Sequence, residues 1–128
     1  MDCTCQAVDR RCEFGKHGED LACEELQRRG YSILDRRFRT RRGELDIVAR
    51  DGDVIVFVEV KARSDGNFGD PFEAVTWRKR RRLSKMATLY LFERHLVGVP
   101  CRFDVVSVIE NLKDVKVEVL RHAFDLEP

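Results

Sequence analysis

Residues 44–63 read ELDIVARDGDVIVFVEVKAR, two strand-like runs on either side of the turn residues Asp51 and Gly52. An Asp-Gly pair between such runs is typical of a two-residue β-hairpin turn. The second run, residues 54–60, is apolar on both faces apart from one glutamate, which predicts a strand at the centre of a sheet. The hairpin is therefore expected at the centre of the fold, and the other elements are assigned relative to it.

A two-residue turn at Asp51-Gly52 predicts which residues of the hairpin face one another. It sets Asp46 opposite Phe57 and Glu44 opposite Glu59. Because side chains alternate between the two faces of a sheet, one face would carry Glu44, Asp46, Phe57, Glu59 and Lys61. We expect Asp46 and Glu59 to be diagonal neighbours, with Cα atoms about 7–8 Å apart.

Two carboxylates that converge inside an apolar sheet are costly, because like charges repel and an unpaired buried carboxylate tends to become neutral. A divalent cation such as Mg²⁺ or Mn²⁺ between Asp46 and Glu59 would relieve both costs, since hard cations take oxygen ligands. Lys61 would add a positive charge beside the metal. Together these groups match what phosphodiester cleavage requires: a metal to activate water, and a lysine to orient or polarise that water.

A structural alternative explains the same residues as an ion pair of Glu59 with Lys61 on an edge strand, with Asp46 solvated. Two patterns favour a shared polar pocket instead. Glu59 and Lys61 belong to the most apolar strand of the chain, where charges are least expected. In addition, Glu19 falls on the apolar stripe of the first predicted helix, and Lys79 falls on that of the second.

The order of predicted elements is α-β-β-β-α-β-β, an α+β fold in which helices pack on a mixed sheet. Residues 1–13 are predicted as a tail that precedes one domain, residues 14–128. The helices are expected within Glu13–Arg29 and from Phe72 or Thr76 to His95. The strands are expected at Tyr31–Arg39, Glu44–Arg50, Asp53–Arg63, Arg102–Ile109 and Val115–Arg121.

Composition excludes several classes of protein. The 128 residues are 43% hydrophobic and 37% charged, which suits a globular domain and not wholesale disorder. There is no apolar run long enough to span a membrane and no apolar core of a signal peptide, so a cytoplasmic protein is expected. Cys3, Cys5 and Cys12 lack the further paired ligands of a zinc site, which favours reduced thiols in a loose tail.

The formal net charge of +1 conceals two basic blocks. Residues 28–42 contain seven arginines and one acid, and residues 78–85 contain six bases and no acid. Such blocks on a nearly neutral chain suggest an anionic partner, most commonly nucleic acid, although a solvated helix face is an alternative. Trp77, next to the second block, could stack on a base, but packing behind the helix is favoured. The candidate nucleic-acid-binding residues are Arg41, Arg42, Arg63, Arg78, Lys79, Arg81, Arg82 and Lys85.

Several motifs, in order and spacing, resemble the YraN family of bacterial proteins. They are Gly18-Glu19 with Ala22 and Leu26, the segments 43–48 and 56–63, Phe68-Gly69, Lys79, the segment 102–106 and the segment 122–124. The family is similar to the archaeal Holliday-junction resolvases and to the restriction-endonuclease-like PD-(D/E)xK nucleases. The resemblance implies that Asp46, Glu59 and Lys61 match the D…ExK core and that Glu19 matches the helical acid of resolvase-like members. A homodimer is implied in the same way.

The resulting hypothesis is a Mg²⁺- or Mn²⁺-dependent endonuclease that acts on DNA, branched or damaged DNA included. Asp46 and Glu59 would hold the metal, Lys61 would position the attacking water, and Glu19 would support the metal. The alternative function is a nucleic-acid-binding module that has the same fold and no catalysis. A weaker third option is a protein-interaction domain that uses the basic hairpin Arg36–Arg42.

Overall fold

The structure, a computed structural model, describes residues 10–63, 76–111 and 113–126. Two helices and five strands follow one another in the predicted order. They are α1 (Arg10–Arg28), β1 (Ser32–Thr40), β2 (Gly43–Asp51), β3 (Val54–Arg63), α2 (Trp77–Glu93), β4 (Cys101–Glu110) and β5 (Val115–Phe124). The predicted α+β class is confirmed, although α1 begins three residues earlier than expected.

The strands form a single five-stranded sheet in the order β1-β2-β3-β4-β5. β3 and β4 are parallel, and the other neighbouring pairs are antiparallel. The parallel pair is the one whose connection contains α2, as a crossover between parallel strands requires. β3 lies at the centre of the sheet with residues 55–59 all buried, as its continuous apolar run predicted.

The two helices cover opposite faces of the sheet. Leu83, Met86, Ala87, Tyr90 and Leu91 of α2 pack on one face, against residues such as Phe57 and Phe103. Ala22, Cys23 and Leu26 of α1 pack on the other, against Ile47, Val56 and Val58. Both apolar stripes are those predicted from the helical repeat, so the fold is a mixed sheet between two amphipathic helices.

The predicted hairpin register is wrong by two residues. Asp51 pairs with Val54, and the turn is Gly52-Asp53, with Gly52 at φ +61°. Asp51 is the last residue of β2, and its carboxylate accepts hydrogen bonds from Arg102 (2.9 Å) and from Arg121 (3.2 Å). A shift of two residues leaves the faces of the β3 side chains unchanged, so the prediction that Phe57, Glu59 and Lys61 share a face survives the error.

The ends of the helices have identifiable causes. Thr76 caps α2 by accepting a hydrogen bond from the backbone N–H of Lys79 at 3.2 Å, which fixes the start of the basic helix. After α1, Gly30 adopts φ +95°, the left-handed conformation predicted for a residue just past a helix. Neither helix, over the residues described, is long and apolar enough to cross a membrane. Cys3 and Cys5 of the predicted tail, the motif Phe68-Gly69 and the side chain of Cys12 lie outside the described residues.

Candidate active site

A cluster of opposite charges lies where β3 meets the first turns of α2. The Glu59 carboxylate bonds to the ammonium of Lys79 and has the Lys61 ammonium at 3.7 Å from its Oε2. Glu59 is buried, and it is the one charged residue within the apolar run 54–60 of β3. The odd-numbered side chains of β3 face α2, so helix periodicity and strand alternation bring these three residues together, as the stripe positions predicted.

Asp46 completes the cluster through an irregularity of β2. Leu45 packs on the α2 side of the sheet and Ile47 on the α1 side, which strict alternation does not allow. The β2–β3 ladder accordingly ends at Ile47–Val58. Beyond it, the Asp46 carboxylate accepts a hydrogen bond from the backbone N–H of Val60 at 2.8 Å. The aspartate therefore replaces a strand partner, and its carboxylate lies beside β3.

The environment of Asp46 disfavours its charged form. Burial and the nearby charge of Glu59 raise the pKa of Asp46 to about 7, with Glu19 contributing in the same sense. The Val60 amide and the Lys79 ammonium act against this shift. At neutral pH the site therefore holds a carboxyl group poised between its two protonation states, a condition that a bound cation would resolve toward the carboxylate.

The two lysines of the cluster differ in electrostatic state. Burial and the neighbouring Lys79 lower the pKa of Lys61. The pKa of Lys79 is raised, because burial is outweighed by the hydrogen bond to Glu59 and the charge of that carboxylate. Lys79 is therefore the firm cation that balances Glu59, and Lys61 is the amine that gives up its proton more readily.

Glu19 lies on α1, on the face of the sheet opposite to α2. It is buried as predicted, but Arg37 Nε donates to its Oε1 at 2.9 Å and Arg36 lies 3.7 Å from the same atom. Arg37 reaches this position because its backbone has φ +57°, so that two consecutive side chains of β1 turn to α1. Glu19 and Lys79 both act on Asp46 through their charges, although the direct partners of Glu19 are arginines.

The donor set fits a hard cation in part. Asp46 and Glu59 offer carboxylate oxygens, the ligands that Mg²⁺ and Mn²⁺ prefer. Within the described ranges, however, no three carboxylate, imidazole or thiol side chains gather closely enough to bind one ion. Lys79 bonds to Glu59, and arginines bond to Glu19. A metal at this site would therefore have two protein carboxylates, and it would compete with Lys79 for Glu59.

A cationic groove of about 490 Å³ runs along the exposed side of α2. Among the described residues, its lining contains five bases, one aromatic residue and no acid. They are Arg42, Trp77, Arg78, Arg81, Arg82 and Lys85. Arg42 comes from the β1–β2 turn, and the others come from the face of α2 that turns away from the core. A groove of this composition attracts a polyanion.

Five of the eight predicted nucleic-acid-binding residues line this groove. Arg41 is exposed in the adjoining turn without lining it, and Lys79 faces Glu59 instead. The side chain of Arg63 lies outside the described part of the structure. Much of the first basic block forms surface ion pairs with acids of the same chain. Arg28 and Arg29 pair with Glu25, Arg36 with Asp20, and Arg39 with Glu44. The hairpin Arg36–Arg42 consequently presents fewer cations to a partner than its sequence suggests.

For two further residues near the site the structure differs from the sequence analysis, which expected the wrong environment for Trp77 and did not single out Ser107. Trp77, expected to pack behind the helix, is 60% exposed, and the Arg81 guanidinium lies 4.9 Å from the centre of its ring. Ser107 pairs with Lys61 across the parallel ladder and is 1% exposed, and its Oγ has no hydrogen-bond partner among the described residues. The sequence signal that could have identified Ser107 is its position as a serine between the apolar residues of β4.

The fold and site define an α+β protein with an acid–lysine cluster on its central strand and a cationic groove on the adjacent helix. Residues 18–108 match the uncharacterised protein family UPF0102. The chain belongs to this family, which is the one predicted above under the name YraN.

Relatives match over most of both chains. A UPF0102 protein of Geobacter metallireducens is 46% identical over 113 residues, which cover 88% of this chain and 93% of the relative. One of Persephonella marina is 42% identical over 113 residues, covering 88% and 94%. One of Syntrophus aciditrophicus is 45% identical over 112 residues, covering 88% of each chain. The alignments support the family assignment and carry no activity with them.

Proposed function

We propose that this protein is a metal-dependent endonuclease that acts on DNA, branched or damaged DNA included. The observation that carries the proposal is the cluster that the buried Glu59 forms with the partly buried Asp46, Lys61 and Lys79 at the end of the central strand. Such a cluster is costly to stability unless it serves a ligand or a reaction. The resemblance of the D…ExK residues to PD-(D/E)xK nucleases, and the groove on the same helix as Lys79, support the same reading.

In this proposal Asp46 and Glu59 would hold Mg²⁺ or Mn²⁺, and the negative charge of Glu19 would favour the bound cation. The bound metal supplies an activated water and charge stabilisation at the phosphate. Lys61, whose pKa is lowered, orients the attacking water through its amine. Lys79 bonds to Glu59 in the free protein and neutralises charge beside the scissile phosphate in the complex.

The groove supplies the binding half of the function. Five bases on two elements would neutralise several phosphates and hold the backbone without reading its sequence. A four-way junction presents two symmetric strands, so a resolvase-like activity would be carried by a homodimer. A protein that acts on chromosomal DNA in this way would work in the cytoplasm.

Cleavage of junction, flap and duplex DNA with Mg²⁺ or Mn²⁺ tests the proposal. We expect cleavage by the wild type and a loss of at least about 100-fold with Asp46→Ala, Glu59→Gln or Lys61→Ala. Glu118→Gln and Lys116→Ala are matched controls, because these exposed β5 residues pair with each other far from the cluster in sequence. Equal cleavage by wild type and Glu59→Gln would contradict the assignment.

One observation favours the non-catalytic alternative, a nucleic-acid-binding module with this fold. Glu59 is already neutralised by Lys79, so the cluster exists without a metal. Calorimetry with Mg²⁺ or Mn²⁺ separates the two functions. Metal binding that disappears in Asp46→Ala supports the enzyme, and salt-sensitive DNA binding without metal binding supports the module.

A further inference from the structure

We propose that Trp77 and Arg81 form a stacking platform for an unpaired nucleotide, so that the substrate of this protein contains single-stranded or unstacked DNA. The inference rests on the proposed function, because it names the class of DNA that the groove receives. It starts from the side chain of Trp77, which is exposed and is not explained by packing in the core. At 60% exposure, Trp77 leaves a large apolar surface in water, at the first residue of α2.

The position of Arg81 argues for a ring held ready to bind. Residues 77 and 81 are one helical turn apart, and the Arg81 guanidinium lies 4.9 Å from the Trp77 ring centre. This cation–π contact fixes the orientation of the indole and covers part of its surface. A base that stacks on the exposed part of the ring would complete a layered arrangement of guanidinium, indole and base.

The electrostatics of the groove select what approaches this ring. Arg42, Arg78, Arg82 and Lys85 line the same groove, and no acid is found in its lining over the part of the chain that the structure describes. Phosphates on either side of a stacked base would meet these cations. Backbone cations combined with an aromatic platform are the recognised means of binding single strands with little sequence preference.

A paired base cannot use this platform, because its faces are already covered by its neighbours in the duplex. A fully paired DNA would therefore contact the cations alone, and an unpaired one would contact the cations and the indole. The difference predicts selectivity for DNA with unpaired bases, such as the unstacked nucleotides at a branch or a flap. The Lys79–Glu59 contact lies on the core-facing side of the same helical turns. The platform and this contact are therefore separated by at most one helix diameter, ~10–12 Å.

Intrinsic fluorescence tests the inference directly, because Trp77 is the one tryptophan of the 128 residues. The protein is titrated with an oligothymidylate of about 12 nucleotides, and separately with a duplex of the same length, in the presence of a chelator. We expect the single strand to quench the fluorescence and the duplex to leave it largely unchanged. Binding of the single strand without quenching would overturn the inference.

Variants measured by the anisotropy of a labelled oligonucleotide give the second readout. Trp77→Leu should weaken single-strand binding by about 5-fold to 100-fold and leave duplex binding unchanged, and Trp77→Phe should restore most of the affinity. Arg82→Gln is the matched control, expected to weaken both ligands alike. Equal losses on both ligands for Trp77→Leu would also overturn the inference. Because Trp77 is exposed, circular dichroism should show these variants folded.

The inference and the proposed function fail separately. Quenching of the Trp77 fluorescence needs neither metal nor catalysis. The single strand should therefore quench the fluorescence of the Glu59→Gln variant as strongly as that of the wild type. Quenching by a protein that cuts no DNA would support the platform and contradict the nuclease. Cleavage by a protein whose Trp77 is not quenched would contradict the platform and support the nuclease.

Discussion

Lys79 of α2 bonds to the carboxylate of Glu59 on β3, so the first turns of the basic helix are tied to the central strand by one buried ion pair. Arg78 and Arg81, on either side of Lys79 in sequence, line the cationic groove instead. One helix therefore contributes to the acidic cluster with one face and to the groove with another. The first two predictions separate these faces.

Lys79→Met should destabilise the metal-free protein. The substitution leaves the Glu59 carboxylate buried with Lys61 3.7 Å away as its remaining cationic neighbour among the described residues. We expect the free energy of unfolding to fall by about 1–3 kcal/mol. Urea denaturation in the presence of a chelator measures it. In a Glu59→Gln background the same change should cost much less, and an equal cost in both backgrounds would show that the pair is not coupled.

Arg81→Ala combined with Arg82→Ala should weaken DNA binding equally for all sequences. These bases meet phosphates, so the slope of log K against log salt should fall by about one to two units. Arg28→Ala with Arg29→Ala removes the same charge from bases that pair with Glu25, and should change the slope little.

Lys79→Ala should reduce cleavage more than binding. Identical behaviour of the Lys79 and Arg81–Arg82 variants in both assays would contradict the division of the helix.

Asp46→Asn should stabilise the metal-free protein at neutral pH. Asparagine retains an oxygen that can accept the Val60 N–H bond and removes a charge that burial and Glu59 both disfavour. We expect the free energy of unfolding to rise by about 1 kcal/mol, a gain that accompanies loss of activity. Asp46→Ala is the control, because it removes the acceptor as well and leaves the Val60 amide unpaired. A less stable Asp46→Asn variant would mean that the charge itself holds the fold.

Gly18→Ala should destabilise the contact between α1 and β3. A Cβ at position 18 would lie 2.8 Å from the Cβ of Ala62, a distance that real side chains do not adopt. The helix must move, and with it Glu19, at a cost of about 1–3 kcal/mol that outweighs the higher helix propensity of alanine. Adding Ala62→Gly makes room, so the double variant should lose less stability than the sum of the single variants. Thermal unfolding of the four proteins measures this coupling.

Tyr90 should make stability depend on pH in the alkaline range. Burial and the hydrogen bond that its hydroxyl donates to Asp35 at 2.6 Å raise the pKa of Tyr90 to about 12. The folded state holds this proton more tightly than the unfolded chain, so the contribution is complete below pH ~10 and is lost as the pH rises toward about 12. The stability difference between wild type and Tyr90→Phe should therefore shrink across that range.

Tyrosinate absorbance provides a direct check of the Tyr90 prediction, since the chain has two tyrosines. The step near pH 12 should be absent in Tyr90→Phe. Tyr31→Phe is the control and should retain it. A wild type that forms both tyrosinates near pH ~10 while folded would contradict the buried hydrogen bond to Asp35.

The sequence alone determined the features that depend on local periodicity. Alternation along β3 predicted that Glu59 and Lys61 share a face, and the prediction survived a register error because a slip of two residues preserves the face. Asp46 was also predicted to join them, but it does so through an irregularity of β2 that alternation does not predict. The helical repeat likewise separated the core stripe of α2 from Arg78, Arg81, Arg82 and Lys85. Each of these inferences needs only neighbours within a few residues of the chain.

Only the tertiary structure decided which of these local features meet. Helix periodicity placed Glu19 on a buried stripe, but α1 packs on the face opposite to α2, and Glu19 is thereby bonded to Arg37 and separated from Lys79. Asp51 pairs with Val54, and its carboxylate bonds to two arginines more than 50 residues away, contacts that no local pattern indicates. The packing of separate elements also decided that Trp77 is exposed and that Arg42, from the β1–β2 turn, lines the groove beside it. The physical reason is that a side chain's periodicity is fixed by the local backbone, whereas its partners are fixed by how separate elements pack.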